Sequence, residues 1–104
     1  MSKPELFDVI ELLVDVPEHQ QSIGTQGTIV ECYDDGAFEV EFANADGETT
    51  ALFALTHQQF IVVWKASTKQ WLPTAEKITE ILEQLSENKQ EKIFDYARTI
   101  YQQA

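Results

Sequence analysis

The residues of this chain that could do chemistry are its two histidines, its single cysteine and its acidic side chains. His19 and His57 lack the i+3 or i+4 spacing that brings two histidines onto one metal ion, so we interpret both as surface loop residues. Cys32 lies in a strand-like run with no histidine signature near it, and we expect a small buried apolar side chain rather than a nucleophile. The sequence therefore predicts no catalytic residue, no metal site and no cofactor, in a protein that is not an enzyme.

A short glycine loop, Gly24 to Gly27, has the outline of a phosphate-binding motif. A P-loop also needs a lysine, a following serine or threonine, and the start of a helix. Here the strand-forming residues Thr28, Ile29 and Val30 follow, with no lysine. The nucleotide-clamping GXXG loop of KH domains lies between helices in basic surroundings, which this segment lacks. We therefore predict a structural turn.

Carboxylates gather around two Asp-Gly turns, and they have no calcium-loop pattern. They either form a plain solvated face or dock a basic partner. Trp64 and Trp71 either pack the C-terminal segment onto the rest of the chain or act as exposed hot spots for another protein. The residues that we predict to bind a partner are Asp34, Asp35, Glu39, Glu41, Asp46, Glu48 and Trp71.

The net charge of −11 comes from 18 acidic and seven basic residues and is unevenly spread. Lys3 is the only basic residue among the first 64, and the first arginine is Arg98. Nucleic-acid affinity depends on Lys and Arg displacing counterions, so we expect neither nucleic acid nor an anionic membrane as partner. A basic protein partner fits better, although the acidity could serve solubility alone. With no run of about 18 apolar residues and no signal peptide, we expect a cytoplasmic protein.

Residues 1–65 have the pattern of a small antiparallel barrel. Phe38, Val40 and Phe42 alternate with Glu39 and Glu41, as in a strand with one buried face. Asp-Gly pairs at positions 35–36 and 46–47 predict tight hairpin turns. The sequence predicts five strands, at Leu6–Val16, Gly27–Tyr33, Phe38–Phe42, Glu48–Leu55 and Ile61–Trp64, with a single helical turn at Thr56–Phe60.

The period changes after a linker at residues 66–73. Thr74 and Ser86 are predicted N-caps of two amphipathic helices, which form an antiparallel helical hairpin over residues 74–104. Helices this short do not stand alone in water, so their apolar stripes must pack on the barrel, on another copy or on a partner. The stripes are formed by Ile78, Ile81, Leu82 and Leu85, then by Ile93, Phe94, Ala97, Ile100 and Tyr101.

Five phrases carry a resemblance to a known family. They are F-D-V-I-E-L-L-V-D-V-P-E-H, G-T-Q-G-T-I-V-E, D-D-G-A-F-E-V-E-F, D-G-E-T and H-Q-Q-F. In order and spacing, over about residues 6–63, they resemble the uncharacterised bacterial family called domain of unknown function 4926. The resemblance implies a Src-homology-3-like (SH3-like) barrel and no established activity. Gln20 and Gln21 stand where members of the family often have glycine, so the first loop is expected to differ in shape.

The C-terminal segment L-P-T-A-E-K-I-T-E-I-L-E-Q-L resembles helical segments of small bacterial antitoxin-like proteins. With the charge asymmetry, this favours a protein-interaction module, most concretely an antitoxin- or immunity-like protein whose acidic barrel binds a basic partner. The helices also make a homo-oligomer an open alternative. Two further alternatives are an accessory subunit or assembly factor of a larger complex, and a nucleic-acid-binding small barrel.

Overall fold

The structure, a computed structural model, describes residues 3–103. It contains strands, two helices and one short 3-10 turn at Pro17–His19. The strands are Val9–Leu12 (β1), Gln26–Cys32 (β2), Ala37–Ala43 (β3), Thr49–Thr56 (β4), Phe60–Lys65 (β5) and Gln70–Trp71 (β6). The helices are Thr74–Leu82 (α1) and Glu87–Gln102 (α2).

The strands form one antiparallel sheet in the order β4-β3-β2-β1-β5-β6. Strands β2, β3 and β4 form two consecutive hairpins. Gly36 in the first turn and Gly47 in the second supply the positive φ of 88° and 81° that these turns need. Strand β1 is central, with Ile10 opposite both Gly27 of β2 and Val62 of β5. The sequence predicts five strands, whereas the structure has six among residues 3–103. Their order is that of an open sheet.

The sixth strand lies inside the predicted linker. Lys69 adopts a positive φ of 55°, and its N–H donates to the carbonyl oxygen of Lys65 at 2.7 Å. The chain thereby turns back, and Trp71 pairs with Trp64. A strand of two residues is too short to leave a period-2 pattern in the sequence.

Two other local predictions were wrong. The first strand is Val9–Leu12 rather than Leu6–Val16, since Phe7 has a positive φ of 71° and the chain turns there. At Thr56–Phe60 there is a hydrogen-bonded turn instead of a helical turn, in which Gln59 Oε1 accepts from the N–H of Thr56 at 2.8 Å. Polar side chains that bond to nearby backbone compete with regular structure in this way.

The core lies on one face of the sheet. Phe42 stacks on Phe53 with ring centroids 5.2 Å apart, and Phe38 meets Phe60 edge-on at 5.6 Å. The alternation predicted for β3 is confirmed, because its phenylalanines and Val40 are buried. The other large core side chains are Ile10, Leu12, Ile29, Leu55, Val62 and Leu72.

A buried ion pair fixes the N-terminal segment to the end of β5. The Asp8 carboxylate is fully buried and accepts from Lys65 Nζ at 2.7 Å, from the Glu5 N–H at 2.9 Å and from the Ala66 N–H at 2.9 Å. Lys65 Nζ also contacts Glu5 Oε1 at 2.9 Å and the carbonyl oxygen of Lys3 at 3.0 Å. A buried carboxylate persists only when it is paired in this way.

The two helices differ in how they are held. Helix α1 packs on β5, so both faces of β5 are covered, and Gln84 Nε2 donates to the carbonyl oxygen of His57 at 3.1 Å. Pro73 is its N-cap, and Thr74 is the first helical residue rather than the predicted cap. The Ser86 cap of α2 is confirmed, because its side chain accepts from the N–H of Lys89.

Helix α2 extends the molecule. It buries none of its residues, although Gln90 Nε2 bonds the carbonyl oxygens of Leu82 and Leu85 at the end of α1. The molecule measures 44 × 26 × 26 Å, and its radius of gyration of 15.1 Å exceeds the roughly 13 Å of a compact chain of this length. Among residues 3–103, no helix is long and apolar enough to cross a membrane.

Candidate protein-binding face

The candidate face is the side of β3 that points away from the core, together with its neighbours on β2 and β4. Glu39 and Glu41 alternate with the buried residues of β3, so both carboxylates lie on this outer side. In the register with β2, Glu39 lies directly opposite Glu31, and Glu41 lies opposite Thr28. We call Glu31, Glu39 and Glu41 the acidic face.

Neutral donors hold two of these carboxylates. Thr49 Oγ1 donates to Glu41 Oε2 at 2.6 Å, and the Tyr33 hydroxyl donates to Glu39 Oε1 at 3.2 Å. Partial desolvation, the bond to Glu39 and the nearby carboxylates raise the pKa of the Tyr33 hydroxyl above its usual range. These bonds orient the carboxylates without neutralising them.

No cation is paired with the acidic face in the part of the chain that the structure describes. The ion pairs found there join Lys65 to Glu5 and Asp8, and Arg98 to Asp95. Like charges directly opposite each other on antiparallel strands are unfavourable by a few tenths of a kcal/mol. The Glu31–Glu39 pair therefore concentrates negative charge near the β2–β3 turn.

The remaining predicted acids lie at the two ends of β3. Asp34 and Asp35 are exposed in the β2–β3 turn, where Asp35 Oδ1 accepts from the N–H of Ala37. Asp46 and Glu48 belong to the β3–β4 turn at the other end. A seven-residue strand is about 20 Å long, so the predicted acids are spread along β3 and its two turns instead of converging on one point.

Trp71 lies far from this face in the sheet. It is in β6, which three other strands separate from β3 in the strand order, and 58% of its surface is exposed. Its ring meets that of Trp64 edge-on at 6.4 Å. The structure thus separates Trp71 from the carboxylates with which the sequence grouped it.

A mainly apolar cleft lies at the β2–β3 turn, on the core side of the sheet and therefore on the other side of β3 from the acidic face. Its volume is about 400 Å³, and it lies between α1 and the end of the sheet where the β2–β3 turn is found. Gly36 of that turn lines it, and His57 and Gln84 lie among its polar residues. Apolar side chains form much of the lining, namely Phe38, Phe60, Ile61 and Val62. Such a cleft can accept an apolar side chain of another molecule.

The glycine loop is structural, as predicted. Gly24 has a positive φ of 91° in the turn before β2. Gly27 is buried, and a Cβ there would lie 2.7 Å from Cγ1 of Val40 and 2.9 Å from Cε1 of Phe42. Gly27 is therefore required because β2 comes close to the side chains of β3 at this position. This close approach cannot be read from the sequence.

The histidines and the cysteine do not form a site. The His19 ring stacks on Phe53, whereas His57 lies in the β4–β5 turn at the cleft. Cys32 is exposed, so the prediction that it is buried was wrong. Partial desolvation, with the charges of Glu31 and Asp8, raises the pKa of its thiol, which favours the protonated form. Among residues 3–103, no group of three or more His, Cys, Asp or Glu side chains is placed to hold a metal ion.

Comparison with known proteins gives one match. A family model with the description "Domain of unknown function (DUF4926)" matches residues 6–62, from the turn before β1 to the third residue of β5. No curated protein and no solved structure matches the chain. The match includes the acidic face, whereas helices α1 and α2 lie outside it.

Proposed function

The chain belongs to the DUF4926 family, whose description assigns no activity, and we propose that it is a protein-interaction module whose acidic face binds a basic protein. The observation that carries this proposal is the placement of Glu31 directly opposite Glu39, with no lysine or arginine of residues 3–103 paired to either. The repulsion between the two carboxylates destabilises the unbound protein. The lysines or arginines of a partner would relieve that repulsion, and this favours the bound state.

The charge distribution supports the same proposal over longer range. All of the net charge of −11 arises in the first 64 residues, which contain the acidic face. A field of one sign over a small body speeds the encounter with a partner of the opposite sign, and salt weakens it. A basic protein that binds through this face is therefore expected to associate fast at low salt.

The apolar cleft at the β2–β3 turn supplies an anchor. Interfaces gain most of their free energy from a few side chains that fill pockets, while charges set orientation and specificity. We propose that an apolar side chain of the partner enters the cleft above Phe38 and Phe60, while its basic residues reach around the β2–β3 turn to the acidic face. An antitoxin- or immunity-like protein that covers a basic toxin is the most concrete form of this function.

We further propose that the sheet rolls into an SH3-like barrel. The contact of His19 with Phe53 supports this closure, since it brings the loop after β1 against β4 at the edge of the sheet. Small barrels remove exposed edges by such closure and leave their loops free to bind.

Affinity capture with a charge-reversed variant tests the function. The protein is immobilised at low salt and exposed to an extract of the cells that make it, and to the purified products of neighbouring genes. We expect a basic protein to bind the unmodified chain, with at least tenfold weaker binding to the double variant Glu31→Lys, Glu39→Lys. The matched control is Glu18→Lys, Glu83→Lys, which makes the same change in net charge at exposed sites elsewhere.

Equal loss in the control would mean that overall charge, not this face, is recognised, and the proposed face would be rejected. Failure to bind any basic protein would reject the function itself. A shift of DNA or RNA at low salt would instead favour the nucleic-acid-binding alternative.

A further inference from the structure

Helix α2 carries an apolar face that nothing in the described chain covers. Phe94 and Tyr101 are 63% and 82% exposed, and Ile100 is half exposed. Phe94, Ala97 and Tyr101 follow the i, i+3, i+7 spacing of one helical face, and Ile100 lies beside them, three residues after Ala97. We call Phe94, Ala97, Ile100 and Tyr101 the α2 face. A two-turn apolar face of this kind is costly in water and marks an interaction surface.

We propose that the α2 face pairs with the α2 face of a second copy of this chain in an antiparallel arrangement. With helices Glu87–Gln102 overlapping over their full length, the two-fold axis passes between residues 94 and 95. Phe94 then lies beside the second copy's Phe94 at the centre. The small side chain of Ala97 lets the two helices approach closely.

The charges on the flank of the α2 face select this direction. Glu91 and Arg98 are seven residues apart, which is close to two helical turns, so both lie on the side of the face next to Phe94. Around an axis between residues 94 and 95, Glu91 is level with the second copy's Arg98, and the pair occurs twice. A parallel pair would instead place this flank of the two helices on opposite sides of the interface, so that Glu91 and Arg98 of one copy would not meet those of the other.

Arg98 is already held near the required position. Its guanidinium lies over the Phe94 ring, 4.6 Å from the centroid, and Nη2 donates to Asp95 Oδ1 at 2.7 Å. No cation among residues 3–103 is paired with Glu91. Each copy thus presents the ordered Arg98 guanidinium and the Glu91 carboxylate, which is paired with no cation of the described chain. In an antiparallel dimer, Arg98 of each copy faces Glu91 of the other.

The acidic body of the protein favours the same arrangement. Helix α2 begins beside α1, which packs on the sheet, so a parallel pair would bring two strongly acidic sheets side by side. An antiparallel pair displaces them along the helix by the length of 16 residues, about 24 Å. That distance exceeds the Debye length of about 8 Å at physiological salt, so their repulsion is screened.

The size of the face sets the expected strength. An aromatic side chain offers about 150–250 Å² when fully buried, so the exposed parts of Phe94, Tyr101 and Ile100 provide roughly 400 Å² per copy. Stable dimers bury about 800 Å² per partner. We therefore expect a reversible dimer with a Kd on the order of micromolar rather than an obligate one.

Sedimentation equilibrium of the full chain, from about 1 µM to 1 mM, tests the proposal. We expect a concentration-dependent rise from the mass of one chain to that of two. Phe94→Ala is expected to weaken the dimer more than tenfold, whereas Asn88→Ala, on the opposite side of the same helix, leaves it unchanged. Far-ultraviolet circular dichroism checks that both variants keep the helix.

Charge reversal and cysteine pairing then test the direction. Glu91→Lys alone and Arg98→Glu alone are each expected to weaken the dimer several-fold, and the two together restore it. In a Cys32→Ser background, mild oxidation of mixed Glu91→Cys and Arg98→Cys chains is expected to give mostly the hetero-disulfide.

A single-chain mass at every concentration would overturn the proposal and leave the α2 face to a different protein. A dimer that Phe94→Ala does not weaken would show that another surface pairs. Homo-disulfides in excess over the hetero-disulfide would overturn the antiparallel arrangement.

Discussion

His19 lies flat against Phe53, with ring centroids 3.9 Å apart and planes 3° from parallel. His19 ends the 3-10 turn after β1, and Phe53 belongs to β4, the strand at the far edge of the sheet. Phe53 stacks in turn on Phe42 of β3. One exposed polar ring thus continues an aromatic stack from the core to the first loop, and it holds that loop against the sheet edge.

Replacing His19 by alanine is expected to lower the free energy of unfolding by about 1 kcal/mol, the usual contribution of a stacked aromatic pair. His57→Ala is the matched control, because that histidine stacks on no ring in the described chain and its carbonyl bond to Gln84 is retained. Urea unfolding followed by tryptophan fluorescence measures both. Equal effects of the two changes would show that the stack does not stabilise the loop.

Replacing Asp8 by asparagine is expected to destabilise the protein by about 3–5 kcal/mol, because it leaves the Lys65 ammonium without its buried partner. Glu5→Gln removes the second partner of the same lysine, whose side chain is 59% exposed, and is expected to cost less than about 1 kcal/mol. Thermal and urea unfolding compare the two. A cost of Glu5→Gln equal to that of Asp8→Asn would contradict the assignment of Asp8 as the main partner.

Stability is expected to fall at alkaline pH. Burial lowers the pKa of Lys65, but the hydrogen bonds to Asp8 and Glu5 outweigh this and raise it above its usual value. The folded state therefore holds this proton more tightly than the unfolded chain. The contribution of the charged Lys65 to the free energy of unfolding is complete below about pH 10.4, the usual lysine pKa. It is lost as the pH rises through the raised pKa of Lys65 in the folded state.

Urea unfolding between pH 8 and 12 measures this loss. The pKa values of Cys32 and Tyr33 are also raised and would add to it, so the comparison is made in a Cys32→Ser, Tyr33→Phe background. Lys65→Met in that background is less stable at neutral pH, and its alkaline loss is smaller. An unchanged slope in Lys65→Met would mean that another group causes the alkaline loss.

The hairpins β2–β3–β4 and the two helices were predictable because their signals are local. Asp-Gly turns, the alternation at Phe38 to Phe42 and the Ser86 cap each depend on a few neighbouring residues. Strand β6 and the contact of His19 with Phe53 depend on residues that are distant in sequence or on a very short pairing. Their residue types carry no pattern by themselves.

For the candidate site, the acids of β3 were predictable and their grouping was not. The alternation placed Glu39 and Glu41 on one side of a strand. The opposition of Glu31 to Glu39 depends on a bulge in β2 between Ile29 and Glu31, which shifts the register by one residue. A register shift of this kind decides which side chains meet, and the sequence leaves it open.

Replacing Gly27 by alanine is expected to destabilise the protein by about 1–3 kcal/mol, because the added Cβ would overlap Val40 and Phe42 in the core. Gly24→Ala is the comparison, since no atom lies within 4 Å of a Cβ there and only the strain of its positive φ is added, about 1 kcal/mol. Urea unfolding gives both values. A smaller effect at Gly27 than at Gly24 would mean that β2 and β3 move apart easily.

Replacing Glu31 by glutamine is expected to make Cys32 more reactive. Partial desolvation raises the pKa of this thiol first, and the carboxylate of Glu31 raises it further. Removing that charge lowers the pKa, so a larger fraction is thiolate at pH 8, and alkylation by neutral iodoacetamide accelerates. Glu41→Gln removes one charge from the same face, but Glu41 is not among the groups that raise the pKa of Cys32, and it is expected to leave the rate unchanged. Equal acceleration by both variants would show that the total charge of the acidic face suppresses the Cys32 thiolate, and that the adjacent Glu31 carboxylate has no special effect.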